Sequence, residues 1–185
     1  MVAVIVLLIF FFIRSLLLIG NFFGQYLAMR KTEQVLKQEF ATLRADNLDL
    51  FEEHLPKKNN ALVIRYVNLL IAEKDNPAML QKLLSDFEVA ANKDLALSKT
   101  LTKMGPMLGL MGTLIPMGPA LVGLSTGDIA SMAYNMQVAF ATTVVGLFAS
   151  AIGFITLQVK QRWYLQDMNN LEYLGDILKQ KQQQP

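Results

Sequence analysis

Three apolar stretches alternate with two charged ones along this chain. The first, residues 2–29, contains Arg14 as its only charged side chain, whereas 104–127 and 129–159 contain no charge at all. An α-helix needs about 20 predominantly apolar residues to cross a bilayer. Each stretch therefore predicts a transmembrane helix, and the first span is placed at 1–29.

The second and third apolar stretches predict a two-span hairpin over 104–159. Its spans cover about 104–124 and 133–157. Asp128 lies in the tight turn between them, and a carboxylate at this position is a favourable N-cap for the third span.

The two charged stretches predict the topology. Basic residues concentrate in 30–103 and 160–185, and the positive-inside tendency places both regions on the cytoplasmic side. Two crossings lie between them, which is the even number that this placement requires. We therefore expect a multi-pass protein with its N-terminus outside and its C-terminus in the cytoplasm. A cleaved signal peptide is the alternative for the first stretch, but a basic n-region and a small-residue cleavage pattern are missing.

The region 30–103 has a helical pattern. Asn76 followed by Pro77 predicts the start of a helix, and no breaker follows before Gly105, so this helix should continue into the second span. A further helix is predicted over 60–74. The helix that starts at Asn76-Pro77 is supported by apolar residues at helical spacing, namely Leu80, Leu83, Leu84 and Phe87. An earlier amphipathic helix, which ends near Pro56, is marked by Leu36, Phe40, Leu43 and Phe51.

These patterns predict the fold class. The chain should be an all-α integral membrane protein with three transmembrane helices. The second and third spans should extend as long helices into a cytoplasmic helical domain, and residues 160–185 should form a C-terminal helix and tail.

Composition excludes several kinds of chemistry. The chain has no cysteine and one histidine, His54, so disulfides, thiolate nucleophiles and multi-histidine metal centres are excluded. A formal net charge of +2 gives no support to nucleic-acid binding. Phosphate-binding and serine-nucleophile motifs are absent. We expect neither an enzyme nor a bound cofactor or metal.

Small residues in the hairpin predict close helix packing. Glycines spaced four apart let helix backbones approach in a membrane, and on their own they indicate a packed bundle and not a channel. The predicted packing residues are Gly105, Gly109, Gly112, Gly146 and Gly153.

Three prolines in the second span, Pro106, Pro116 and Pro119, each remove a helical hydrogen bond and free a carbonyl group. Thr113 or water could satisfy such a carbonyl. Two interpretations stay open: the prolines are simple kinks, or they line a pore.

Arg14 lies inside the first apolar stretch, where a charge is expensive and is a functional candidate by default. The simpler alternative is that its side chain snorkels to the outer interface.

The hairpin contains no carboxylate, lysine or histidine within its spans. Its hydroxyl groups can hydrogen-bond a carboxyl group or water, but they do not ionise near neutral pH. If protons cross here, another chain must supply the carboxylate. Among these hydroxyls are those of Thr113, Thr142, Thr143 and Ser150.

Two motifs in this hairpin resemble the MotA/TolQ/ExbB proton channel family. The family pattern Pro-x-x-Gly-Leu-x-Gly-Thr is matched by Pro106, Gly109, Leu110, Gly112 and Thr113. The pattern Ala-Thr-x-x-Gly-Leu-x-Ala is matched over 142–149, with Thr142 in place of alanine. The resemblance covers about 100–160 and is closer to the three-span TolQ/ExbB branch than to the four-span flagellar stator.

The resemblance implies a homopentamer in a bacterial inner membrane. Its pore would be lined by spans two and three and occupied by single-span helices of a partner resembling ExbD, TolR or MotB, which carries an intramembrane aspartate. Thr113 and Thr143 would form polar rings that face this aspartate, and Thr142, Ser150, Pro116 and Pro119 complete the expected lining.

The sequence also departs from the family pattern. Val138 replaces a glutamate before the span-three threonine, Ile152 replaces a later proline, and Ile115-Pro116 replaces Trp-Gly.

The leading hypothesis is a stator subunit that couples ion flow to mechanical work in the cell envelope, with proton versus sodium left open. The rival is a non-conducting scaffold that docks a soluble partner. A self-sufficient solute pore has little support, since hydroxyl groups alone offer little to select with.

Overall fold

The computed structural model describes residues 2–43 and 61–183. These residues form four helices: α1 (Val2–Thr42), α2 (Leu62–Ala72), α3 (Pro77–Thr126) and α4 (Ile129–Gln183). Three of them, α1, α3 and α4, contain segments long and apolar enough to cross a membrane. The predicted all-α fold with three membrane-spanning helices is confirmed. Phe51, His54 and Pro56 lie outside the described residues.

Helix α1 is longer than the first predicted span. It continues without interruption from Val2 to Thr42, so the span and the beginning of the predicted amphipathic helix are one element. The physical reason is that neither glycine nor proline occurs between Gln25 and Thr42 to break the helix. The helix predicted around Leu36 and Phe40 therefore begins as a continuation of the first span, and its predicted course through Phe51 to Pro56 lies outside the described residues.

Helix α3 begins where its capping residues predict. The side-chain Oδ1 of Asn76 accepts a hydrogen bond from the backbone N–H of Met79 at 3.2 Å, and Pro77 occupies the first helical position, where its missing N–H costs nothing. The helix then runs to Thr126, which confirms that the charged segment and the second span are continuous.

The turn between α3 and α4 also follows from its residues. Gly127 has a φ of +75°, a left-handed conformation that glycine adopts without a Cβ penalty. The N–H of Asp128 bonds to the carbonyl of Gly123 at 2.8 Å, and the N–H of Gly127 bonds to that of Leu124 at 3.2 Å, as in a Schellman motif. Asp128 Oδ1 then accepts from the N–H of Ser131 at 3.0 Å, so the predicted N-cap is confirmed.

The chain divides into two compact units. Unit 1 comprises residues 1–23 and 96–159, and unit 2 comprises 24–95 and 160–185. Unit 2 has an apolar core to which all four helices contribute. Its buried members are Phe40, Leu43, Val63, Ile64, Val67, Leu70, Ile71, Leu80, Leu83, Leu84, Phe87, Leu171, Leu174, Ile177 and Leu178.

Unit 1 has small apolar clusters and an apolar exterior. Val4 and Leu8 of α1 pack with Leu108 of α3, and Leu18 packs with Leu101 and Ile152. Large apolar side chains elsewhere in the unit point outwards, among them Val6, Phe10, Leu110, Leu114, Leu121, Phe140, Val144 and Phe154. Such an exterior suits lipid or neighbouring helices and not water.

Candidate functional site

The candidate site is the contact between α3 and α4 in unit 1, where small residues bring the two backbones together. A Cβ atom built on Gly105 would lie 2.7 Å from the carbonyl oxygen of Gly146 and 2.9 Å from Cβ of Ser150. A Cβ on Gly146 would lie 2.7 Å from the carbonyl oxygen of Gly105. Real Cβ atoms do not approach backbone this closely, so both positions require glycine.

The same contact extends towards both ends of the hairpin. A Cβ on Gly153 would lie 2.7 Å from Cβ of Leu101, and one on Gly112 would lie 2.5 Å from Oγ1 of Thr142. Gly109 is different, because its nearest neighbour, Cα of Thr143, would be at an ordinary 3.5 Å. Four of the five glycines predicted to pack therefore have no room for a side chain, and the fifth has room for a methyl group.

Ser150 forms a hydrogen bond that explains how α3 accommodates Pro106. In a continuous helix the N–H of residue 106 would bond to the carbonyl of Thr102, but proline has no N–H. The hydroxyl of Ser150 donates to this carbonyl from α4, with an Oγ···O distance of 3.0 Å. A side chain of the neighbouring helix thus satisfies a backbone acceptor that would otherwise be unpaired in an apolar environment.

Thr113 does not have the role that the sequence predicts for it beside the prolines. Pro116 and Pro119 free the carbonyls of Gly112 and Ile115 by the same geometry, yet the hydroxyl of Thr113 donates to Leu110 at 2.7 Å. The expectation that Thr113 satisfies a proline-freed carbonyl was therefore wrong, because its side chain returns to the preceding turn of its own helix, as Thr commonly does.

The two prolines beyond Thr113 lie in different environments. Pro116 is fully buried in the chain, whereas Pro119 is exposed. Both lie within an uninterrupted α3.

The threonine pair of α4 lies against the glycines of α3. Thr143 Oγ1 donates to the carbonyl of Ala139 at 3.1 Å and also lies 3.4 Å from the carbonyl oxygen of Gly109 on α3. Thr142 Oγ1 contacts the Gly112 position and bonds to Ala139 at 2.9 Å. Both hydroxyls are partly buried. Each can still accept a hydrogen bond from an acid or water, because a hydroxyl has two acceptor lone pairs.

Arg14 is exposed on α1. Its guanidinium carbon lies over the ring of Phe10 at 5.4 Å from the centroid, a cation–π arrangement that leaves the in-plane N–H groups available. The neighbouring Ser15 is buried and donates to the carbonyl of Phe12 at 2.7 Å.

Sequence analysis missed a polar cluster in unit 2. Oδ2 of Asp94 accepts from the ammonium of Lys160 at 2.8 Å and from the hydroxyl of Tyr164 at 2.7 Å. Burial raises the pKa of Tyr164 above its ordinary value of 10.0, and the hydrogen bond to Asp94 raises it further. The only sequence signal was the i, i+4 spacing of Lys160 and Tyr164, which places them on one helix face without identifying Asp94.

Among the residues that the structure describes, no group of three His, Asp or Glu side chains could hold a metal ion. The two spans of the hairpin instead offer hydroxyls, backbone carbonyls and a surface without charged side chains. These groups can hydrate an ion path or hydrogen-bond a carboxyl group, but they cannot carry a proton by titrating.

Comparison with individual curated proteins gives no match. The sequence profile of the MotA/TolQ/ExbB proton channel family matches residues 58–172. The matched region extends well beyond the two hairpin motifs: it includes α2, all of α3 and most of α4. Together with the three apolar helices, it identifies a multi-pass membrane protein. The chain is a member of the MotA/TolQ/ExbB proton channel family.

Proposed function

We propose that this chain is the channel-forming stator subunit of an ion-driven motor in a bacterial inner membrane. Five copies surround single-span helices of a partner resembling ExbD, TolR or MotB, and the flow of protons drives mechanical work by the partner's domain outside the membrane. The N-termini lie outside and the C-terminal tails lie in the cytoplasm.

The main support comes from the chemistry of the α3–α4 hairpin. Its spans contain hydroxyl groups but no carboxylate, lysine or histidine, although the chain belongs to a proton channel family. A proton relay needs a group that binds and releases protons, so a carboxylate has to come from another chain. A partner's intramembrane aspartate meets this need, and a charge in that position is expensive unless polar groups surround it.

Thr143 and Thr113 are the groups we assign to that aspartate. The hydroxyl of Thr143 is oriented by its hydrogen bond to the carbonyl of Ala139 and lies close to the carbonyl of Gly109 on α3. The hydroxyl of Thr113 is oriented by its hydrogen bond to the carbonyl of Leu110. The neutral acid can donate to a threonine oxygen, whereas the carboxylate can only accept, so protonation changes which contacts are favourable. One elementary charge that crosses 100 mV releases about 2.3 kcal/mol, enough to bias such a step.

Proton flux into liposomes tests this proposal. The chain is reconstituted with the single-span protein encoded beside it, and entry of protons is followed with an internal pH-sensitive dye. Thr143→Val keeps the shape but removes the hydroxyl, and we expect most of the flux to be lost while the complex keeps its mass. Thr143→Ser should retain flux.

Thr100→Val is the matched control, because this hydroxyl is exposed and bonds only to Ala96 of its own helix at 2.8 Å. Its flux should equal that of the wild type. Full flux in Thr143→Val would contradict the assigned role. Sodium-dependent flux without proton flux would identify the other ion.

A further inference from the structure

Two aromatic side chains of unit 2, Tyr26 of α1 and Trp163 of α4, contact each other. Their ring centroids are 5.8 Å apart, and both side chains are partly buried. Neither is among the described residues that form the apolar core of this unit or pack against it, whereas the adjacent Tyr164 is. The pair therefore joins α1 to α4 outside the core of unit 2.

Both helices change from apolar to charged at the level of this pair. On α1 the charged region begins with Arg30, four residues after Tyr26. On α4 the charge-free stretch ends at Lys160, three residues before Trp163. Tyrosine and tryptophan combine an apolar ring with a polar group, and they concentrate at the boundary between lipid and water. The composition and the place of the pair are those of an interfacial anchor.

A second aromatic side chain on α4 marks the distance to the other side of a bilayer. Tyr134 is 64% exposed and lies 29 positions before Trp163. Because α4 is an uninterrupted helix over both residues, they are about 43 Å apart at 1.5 Å per residue. A bilayer with its headgroup layers is about 40–45 Å thick. The two aromatic side chains are thus separated by one bilayer.

Helix α1 is long enough for the same placement. Its apolar span extends from Val2 to Leu27, and Tyr26 lies at the end of this span. From Val2 to Tyr26 the helix rises about 36 Å, which exceeds the roughly 30 Å of the hydrocarbon core. With Tyr26 in one headgroup layer, α1 therefore still crosses the core completely.

From these observations we propose that the Tyr26–Trp163 pair binds the phospholipid headgroup layer next to the charged regions of the chain, and that Tyr134 binds the opposite headgroup layer. The apolar body of each ring lies against the upper acyl chains, and its polar group lies among the headgroups. Unit 2 thus contacts lipid at this pair although its core is buried by its own helices. The proposal does not depend on ion conduction and applies equally to a non-conducting scaffold.

Tryptophan fluorescence tests this placement, because Trp163 is the only tryptophan of the chain. The full-length protein is reconstituted into phosphatidylcholine vesicles that contain a lipid with a quenching spin label, either near the headgroup or near the end of the acyl chain. Iodide in the surrounding water is the third quencher. We expect the shallow label to quench Trp163 at least about twofold more strongly than the deep label.

Two variants with a relocated tryptophan complete the measurement. In Trp163→Phe/Tyr134→Trp the shallow label should again quench more strongly, since this position belongs to the opposite headgroup layer. In Trp163→Phe/Leu147→Trp the tryptophan lies near the middle of the intervening helix, at a 53% exposed position, and the deep label should quench more strongly. This variant is the control for depth.

Three results would overturn the proposal. The first is stronger quenching of Trp163 by the deep label than by the shallow one. The second is quenching of Trp163 by iodide while neither lipid label has an effect, which would place the pair in water. The third is stronger quenching of the Tyr134→Trp position by the deep label, which would remove the opposite headgroup contact.

Discussion

The two units of this chain place their apolar residues in opposite ways. In unit 2 the large apolar side chains of α2 are buried, and Val67 and Leu70 are completely inaccessible. In unit 1 most of the large apolar side chains of α3 point outwards, with Leu110 and Leu114 about 60% exposed, while glycines and hydroxyls occupy the contact between α3 and α4. Unit 2 is built as a domain in water is built, and unit 1 as a bundle in lipid.

The difference shows which interactions hold each unit together. Burial of apolar area stabilises unit 2 against water. That driving force is missing between helices in lipid, where close packing and interhelical hydrogen bonds take its place. Substitutions should therefore have opposite effects in the two units: shortening a side chain should damage unit 2, and adding one should damage unit 1.

The largest expected effect is in the core of unit 2. Phe87 is 1% exposed and packs edge-on against the rings of Tyr66 and Tyr164. Phe87→Ala should reduce the free energy of unfolding of this unit by about 4 kcal/mol, measured by hydrogen exchange of the amides of α2. Val89→Ala, at a 68% exposed position two residues away, should have almost no effect. Equal effects of the two substitutions would show that this core does not carry the stability of unit 2.

A smaller effect is expected in unit 1, from adding a methyl group. Gly146→Ala places a Cβ 2.7 Å from the carbonyl oxygen of Gly105, so α3 and α4 must separate, at a cost of about 2 kcal/mol. The midpoint of thermal unfolding in detergent should fall. Gly118→Ala is the matched control, because nothing lies within 4 Å of its Cβ position and alanine is the better helix former. If Gly118→Ala lowers the midpoint as much, glycine packing is not the basis of unit 1.

The smallest effect concerns one hydrogen bond of unit 1. Ser150→Ala removes the donor to the carbonyl of Thr102 and should cost about 1 kcal/mol. Pro106→Ala restores a backbone N–H to the same carbonyl. In that background Ser150→Ala should therefore cost less, and a double-mutant cycle on unfolding free energies measures the coupling. Additive costs would contradict the compensating role of Ser150.

Sequence patterns predicted the features that depend on neighbouring residues. The Asn76-Pro77 start of α3 and the Gly127-Asp128 turn are local, because their hydrogen bonds join residues a few positions apart. The three spans follow from length and apolarity alone. The family resemblance was recognised from two short motifs in α3 and α4, whose residues Gly109 and Thr143 contact one another. The profile match over 58–172 extends the family assignment to α2.

What the sequence did not predict depends on contacts between distant positions. The bond from Ser150 to Thr102 and the pairing of Asp94 with Lys160 join residues far apart in the chain. The packing of α1 against α3 and α4, in which Leu18 meets Leu101 and Ile152 and Phe12 meets Phe148, is not revealed by the hydropathy of α1. The hydroxyl of Thr113 could donate either to a carbonyl freed by a proline or to a carbonyl in the preceding turn of its own helix. The structure shows that it donates to Leu110 of the preceding turn.

The most direct test of the proposed function is the composition of the complex extracted from the membrane. The outward-facing apolar side chains of unit 1 imply lipid and neighbouring helices around it, and the proposed channel requires five copies of this chain around a single-span partner. The chain is co-expressed with the protein encoded beside it and extracted into lipid nanodiscs, and its mass is measured particle by particle. We predict a mass of five copies plus the partner; a complex with another number of copies, or the chain without a partner, would contradict the proposal.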